Sequence, residues 1–276
     1  MHLALPTPHR WWSTLLGLLW ACLAVTAAAQ NEVETSTTVP QSKLTAAAAA
    51  STGPGTTLPK NFGVIVYRAY EMLDIFGPLS ALGQLARMRQ MNLYMISETM
   101  DPVTVEPASP AMNTKNSSFF PVLLPTHTYA TAPKDLEVLI VPGGLWTRSP
   151  NLNSTIAYIR AVYPSLRYLV SVCTGAGVVA RAGVLDGRRA TTNKAAWAST
   201  IVHGPRTEWV ARARWVVDGN VWTSSGVSAG IDATLGFIEE VYGAANATYI
   251  ADMMEYDWHR DPSWDPYADK FNVTGA

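Results

Sequence analysis

Short runs of branched apolar residues alternate with helical periods between about residues 61 and 256, and most of the runs end in a turn signal. Phe62–Tyr67 (FGVIVY), Leu93–Ile96, Leu136–Val141 (LEVLIV) and Tyr168–Val172 (YLVSV) suit strands buried on both faces. Pro78–Arg89 predicts a helix: Pro sits near its start, Leu79, Leu82 and Leu85 lie three apart, and Arg87 and Arg89 close it. Asn151–Tyr163, Ser228–Tyr242 and Ala247–Tyr256 are helical by period. Val210–Val217 and Val221–Thr223 flank Asp218-Gly219-Asn220, a hairpin signal. This order predicts an α/β domain with a mostly parallel central sheet and an added β-hairpin.

Composition narrows the partners. The chain is 48% hydrophobic and 15% charged, with 20 basic against 21 acidic side chains, so it is neither disordered nor fibrous. A net charge of −1 offers no basic field for nucleic acid or an anionic membrane. Two cysteines exclude a disulfide-rich scaffold and a Cys-based zinc site. No H-E-x-x-H, C-x-x-C or Walker loop is present, so neither a metal nor a nucleotide cofactor is expected. The expected partner is a small-molecule substrate.

The first 29 residues read as a signal peptide. His9 and Arg10 precede an apolar run from Trp11 to Ala24, and Ala27-Ala28-Ala29 offers a cleavage site. The stretch is also just long enough for an uncleaved anchor, a reading that Ser13, Thr14 and the Ala-rich end weaken. Cleavage removes Cys22, leaves Cys173 as the single thiol and routes the protein to the secretory pathway, with no membrane anchor remaining. Sequons at Asn116, Asn153, Asn246 and Asn272 are then candidate glycosylation sites. Residues 30–59 read as a disordered Ser/Thr/Ala-rich linker, 60–257 as the α/β domain and 258–276 as an aromatic tail.

The chemistry centres on Ser171-Val172-Cys173-Thr174-Gly175-Ala176-Gly177. A buried strand ends, a cysteine follows, and small residues open a helix, which is the pattern of a nucleophile elbow. The helix N-terminus is expected to lower the thiol pKa. A buried core cysteine is the alternative. The elbow, with Gly183-Val184-Leu185-Asp186-Gly187-Arg188-Arg189-Ala190-Thr191-Thr192, resembles the ThiJ/PfpI superfamily. Three further blocks agree in order: Leu73-Asp74-Ile75-Phe76-Gly77-Pro78, Val141-Pro142-Gly143-Gly144, and Ser225-Gly226-Val227-Ser228-Ala229-Gly230-Ile231-Asp232.

The resemblance implies the class I glutamine amidotransferase-like fold, a flavodoxin-like α/β/α sandwich, and commonly a homodimer. In motif it is nearest to the isonitrile hydratase branch, which implies Cys173 as the nucleophile and Asp74 as the acid/base. It also implies an oxyanion-type hole built from Gly143, Gly144 and the N–H of Thr174. Glu71 is the competing carboxylate. Other expectations on the same scaffold are a glyoxalase-like or amidase-type enzyme, or a non-enzymatic thiol redox-sensing or binding protein. Amidase chemistry wants an imidazole beside the nucleophile, and Thr174 and Asn193 stand where many relatives carry His. His259 is expected to pack at the surface, His127 to lie in a solvated loop, and Asp232 only to cap a helix. Trp197, Trp209, Trp215 and Trp222 are expected in the core or at a dimer interface, and Val103–Pro133 as irregular loop.

Overall fold

The computed structural model describes residues 57–107 and 109–273. The expected signal peptide, and the expected linker up to residue 56, lie outside the described residues. A seven-stranded sheet forms the centre. Its strands are β1 (Asn61–Ile65), β2 (Asn92–Ser97), β5 (His127–Thr128), β6 (Val138–Val141), β7 (Tyr168–Ser171), β10 (Trp215–Asp218) and β11 (Val221–Ser224). They run in the order β10-β11-β7-β6-β1-β2-β5. Every pairing is parallel except β10 with β11, the expected hairpin, closed by Gly219 and Asn220. Two small pairs stand outside it: β3 (Val103–Thr104) with β4 (Val122–Leu123), and β8 (Arg189–Ala190) with β9 (Glu208–Trp209). The first of these gives partial order to the segment expected to be irregular.

The chain leaves β1 through α1 (Met72–Met88) toward one edge, and leaves β6 through α2 (Asn153–Val162) toward the other. Right-handed crossovers in opposite directions place these helices on opposite faces of the sheet. Helix α1 packs with α5 (Ala229–Tyr242) and α6 (Ala244–Met253); α2 packs with α3 (Gly175–Arg181), which also meets α4 (Trp197–Ile201). The result is the α/β/α sandwich, with β1, β6 and β7 buried along their lengths by Val64, Ile65, Leu139, Ile140, Leu169 and Val170. No helix among the described residues is long and apolar enough to cross a membrane.

Four local readings change. Helix α1 begins at Met72, not Pro78, so Pro78 lies inside it and Asp74 in its first turn. Proline has no N–H to bond the carbonyl four residues back. Asn246 is no glycan acceptor in this fold: it is 2% exposed inside α6, and its Nδ2 donates to the Tyr242 carbonyl at 2.6 Å. Asn116, Asn153 and Asn272 are exposed. Asp232 is no simple cap, because its carboxylate accepts from Arg214 Nε at 2.8 Å and from the His259 N–H at 3.2 Å. His127 belongs to edge strand β5 rather than a free loop, its ring edge-on to Tyr94.

The four tryptophans are buried, as a core requires. His259 stacks on Trp264 with ring centroids 4.0 Å apart. The segment after α6 folds back and ends in α7 (Pro266–Lys270), where the Asp265 side chain caps the helix by accepting from the Tyr267 N–H at 2.9 Å.

Candidate active site

Parallel strands β1, β6 and β7 deliver their carboxyl ends to one side of the sheet, where crevices form in this architecture. From β7 the chain turns at Cys173 with φ +58°, a left-handed conformation rare for a residue with a side chain. Its amide donates to the Ser225 carbonyl at 3.0 Å, and its own carbonyl accepts from Thr192 Oγ1 at 2.8 Å. The elbow is thus held from both sides, and the thiol is only 5% exposed.

Asp74 reaches the same point from the first turn of α1 and is fully buried. Its Oδ2 accepts from the Gly143 N–H at 2.7 Å. Its Oδ1 has no hydrogen-bond partner among the described residues, although the thiol faces this carboxyl. Gly143 is obligatory: a Cβ there would lie 2.7 Å from Asp74 Oδ2 and 2.6 Å from Thr174 Oγ1. Gly144 has φ +137°, and a Cβ on it would collide with the backbone of Ala69 and Tyr70. Glu71 stands just before α1, half-buried; its N–H donates to the Gly143 carbonyl at 3.0 Å, and its side chain bears on Asp74 through charge.

The expected oxyanion-type trio is assembled, but its donors are engaged within the protein. The Gly143 N–H goes to Asp74, and the Gly144 N–H goes to Thr174 Oγ1 at 3.0 Å. Groups that donate to the sulfur are the backbone N–H of Thr174, that of Val227 and the Asn193 amide, whose Nδ2 lies 3.2 Å from Sγ. Asn193 is itself fixed, since its Oδ1 accepts from the Ala196 N–H at 3.0 Å. Sequence reasoning noted Asn193 only as a missing histidine; its position directly after Thr191-Thr192 was the available signal. Tyr67, also unmarked in the sequence, is buried at the end of β1 and donates to the Pro142 carbonyl. The Asp74 and Cys173 charges push its phenol pKa upward, after burial itself.

The electrostatics reverse one expectation. Burial, with the Asp74 charge added, pushes the Cys173 thiol up to about 12 despite the donors around it. The helix N-terminus therefore does not produce a resting thiolate. Burial pushes Asp74 up to about 7, opposed by the Gly143 hydrogen bond and assisted by the Glu71 charge. Near neutrality the site holds a thiol beside a carboxyl poised to gain or lose a proton.

Residues 63–240 match the DJ-1/PfpI family. The chain belongs to the DJ-1/PfpI family. It is 32% identical over 196 residues to isonitrile hydratase of Pseudomonas putida, covering 70% of this chain and 77% of that one. It is 30% identical over 122 residues to an HTH-type transcriptional regulator of Pseudomonas aeruginosa, 44% of this chain but 33% of the regulator. Among solved structures, a ThiJ/PfpI family protein from Pseudomonas syringae superposes with a TM-score of 0.59 at 28% identity, over 79% of this chain and 85% of that one. The family match stops at residue 240, so the segment that folds back onto the domain and carries α7 lies beyond it.

Proposed function

We propose that this DJ-1/PfpI protein is a cysteine-dependent hydratase that converts an isocyanide to an N-substituted formamide. The observation that carries the reading is the buried Asp74 carboxyl, with its pKa near 7 and one unpartnered oxygen, set against Cys173. The similarity to isonitrile hydratase supports it. Among the described residues no imidazole bears on the thiol, where an amidase would need one.

An isocyanide carbon takes a nucleophile and a proton at the same atom. Protonated Asp74 gives its proton to that carbon as Sγ forms the S–C bond, and the thiol proton passes to the carboxylate just created. The product is a thioimidate, with Asp74 again protonated. Water then adds to the carbon: the C=N electron pair moves to nitrogen, Asp74 protonates the nitrogen, and the carboxylate takes a water proton. Finally the C–S bond breaks as the hydroxyl becomes a carbonyl. Asp74 returns a proton to sulfur and takes the hydroxyl proton, releasing the formamide.

The test is formamide production from a panel of isocyanides by the wild type and by Cys173→Ala. Turnover by the first and none by the second is expected. Undiminished turnover by Cys173→Ala, or none by the wild type, overturns the reading. The regulator relative favours a second reading, a sensing module. As a peroxide sensor it needs a thiolate, which burial and Asp74 oppose; rapid sulfenic acid formation on Cys173 at neutral pH would favour it.

We further propose a cleaved leader, export, glycans on Asn116, Asn153 and Asn272, and a homodimer. The intact mass of the exported protein before and after deglycosylation, with sedimentation of the product, tests these.

A further inference from the structure

Asn193, whose amide reaches the sulfur, sits on a segment held by a buried ion pair. Its neighbour Lys194 sends Nζ to Thr191 Oγ1 at 2.7 Å and to the Thr192 and Ala213 carbonyls at 3.1 Å. These three bonds use all three ammonium protons. Asp265 Oδ2 lies 3.1 Å from the same Nζ, both side chains 1% exposed, yet it accepts no hydrogen bond among the described residues. The carboxylate therefore acts on Lys194 through charge.

The bonds of Lys194 converge on the residues that hold the elbow. Thr192 Oγ1 donates to the Cys173 carbonyl at 2.8 Å, and Thr191 is bonded in turn to Thr223 Oγ1 and to the Val210 carbonyl. The ammonium thus ties down the chain just ahead of Asn193. Burial pushes the Lys194 pKa down, and the Asp265 charge opposes that. A neutral amine has only two N–H donors, so one of the three bonds would fail without the carboxylate.

Asp265 is itself fixed. Its Oδ1 caps α7 by accepting from the Tyr267 N–H at 2.9 Å, and the segment before it is anchored where the Arg214 N–H donates to the Pro262 carbonyl at 2.7 Å. A buried ion pair adds little net stability over an apolar pair of its size, because desolvation offsets the attraction. What this pair supplies is direction: it sets where three donors point, next to the amide on the sulfur.

We propose that Asp265 is a positioning residue for the reacting thiol: by pairing with Lys194 it fixes the Thr191–Asn193 segment and holds the Asn193 amide on Cys173 Sγ. That Cys173 is the nucleophile rests on the hydratase reading; the tether does not.

The experiment follows alkylation of Cys173 by iodoacetamide in the full chain, read by peptide mass with no substrate present. Asp265→Asn keeps the α7 cap through its side-chain oxygen and removes the charge. Lys194 then gives up a proton, one donor is lost, and alkylation slows about tenfold, as in Asn193→Ala. Adding Asn193→Ala to Asp265→Asn slows it no further, within about twofold. A merely structural role moves the rate the other way. A loosened elbow exposes the thiol, and an unpaired ammonium stabilises the thiolate, so either speeds alkylation. Alkylation as fast as in the wild type or faster, or losses that add in the double variant, overturn the proposal. Lys194→Met/Asp265→Asn removes both charges, keeps the cap and is expected to slow alkylation equally; it stands in if Asp265→Asn does not fold. The Cys173 S–H stretching band, isolated by subtracting Cys173→Ala, shifts in Asp265→Asn in the same direction as in Asn193→Ala. A band left at its wild-type position overturns the proposal whatever the reagent reaches. The expected pattern, with no isocyanide turned over by the wild type, sustains the tether and removes the hydratase reading alone.

Discussion

Two aspartates sit at equivalent places in the domain and carry opposite chemistry. Asp74 and Asp232 each lie in the first turn of a helix, on α1 and α5, which pack against each other, and both are fully buried. Asp232 is gripped by Arg214, whose Nη2 lies 2.7 Å from its Oδ2, and by the His259 N–H. Asp74 has one backbone donor, the Cys173 thiol beside it and, among the described residues, no cation. Asp232 has a guanidinium against it; Asp74 has none, and burial pushes its carboxyl up to about 7. Burial alone therefore does not distinguish a structural acid from a reactive one. The partners do.

The comparison breaks most visibly at Asp74. Asp74→Asn keeps an acceptor for the Gly143 N–H but cannot cycle a proton, so isocyanide turnover falls about a thousandfold. Its stability changes in the opposite sense. The unfolded carboxyl titrates near 3.8 and the folded one near 7, so the stability of the wild type is full below the first value and lost as pH rises to the second. Above pH 7, Asp74→Asn should exceed the wild type by up to about 4 kcal/mol in denaturant unfolding. A loss of stability there would refute the assigned environment.

Removing the cation from the other member has the mirror effect. Arg214→Met strands Asp232 without a charge partner and should cost about 3 kcal/mol of unfolding free energy. The added Asp232→Asn should recover part of that loss; failure to recover any would show that Arg214 acts by packing alone. A smaller effect belongs to pH. With protonated Asp74 as the acid, kcat/KM falls about tenfold per unit as pH rises beyond 7. Smallest is Glu71→Gln, which removes a neighbouring negative charge and should shift that fall to lower pH by a few tenths of a unit, about 0.5 kcal/mol or less. A shift upward would contradict the sign of the Glu71 influence.

The central strands were legible because a parallel sheet covered on both faces writes itself as continuous branched apolar runs, and the elbow because a strand running into Cys-Thr-Gly leaves little else to build. The start of α1 was not legible. Pro78 imitates a first-turn proline, whereas the helix accommodates it seven residues in. That error hid Asp74's place in the first turn, although the motif had already marked the residue. The pairing of Arg214 with Asp232 leaves no local trace, since the partners stand on different elements. Asn193 was visible only as the lack of a histidine, and its contact with sulfur depends on the close approach of Gly226, where a Cβ would meet Asn193 Nδ2 at 2.7 Å. The lowered thiol pKa followed from the helix N-terminus alone; burial and Asp74 outweigh it.

The most direct measurement is the titration of the Asp74 carboxyl by pH-difference infrared spectroscopy, with Asp74→Asn supplying the subtraction. A protonated-carboxyl band that is absent from the variant and disappears with a midpoint near pH 7, while the Cys173 S–H band persists beyond pH 9, is the predicted result. A midpoint below about pH 5, in the range of an ordinary aspartate, or loss of the S–H band near neutrality would contradict it.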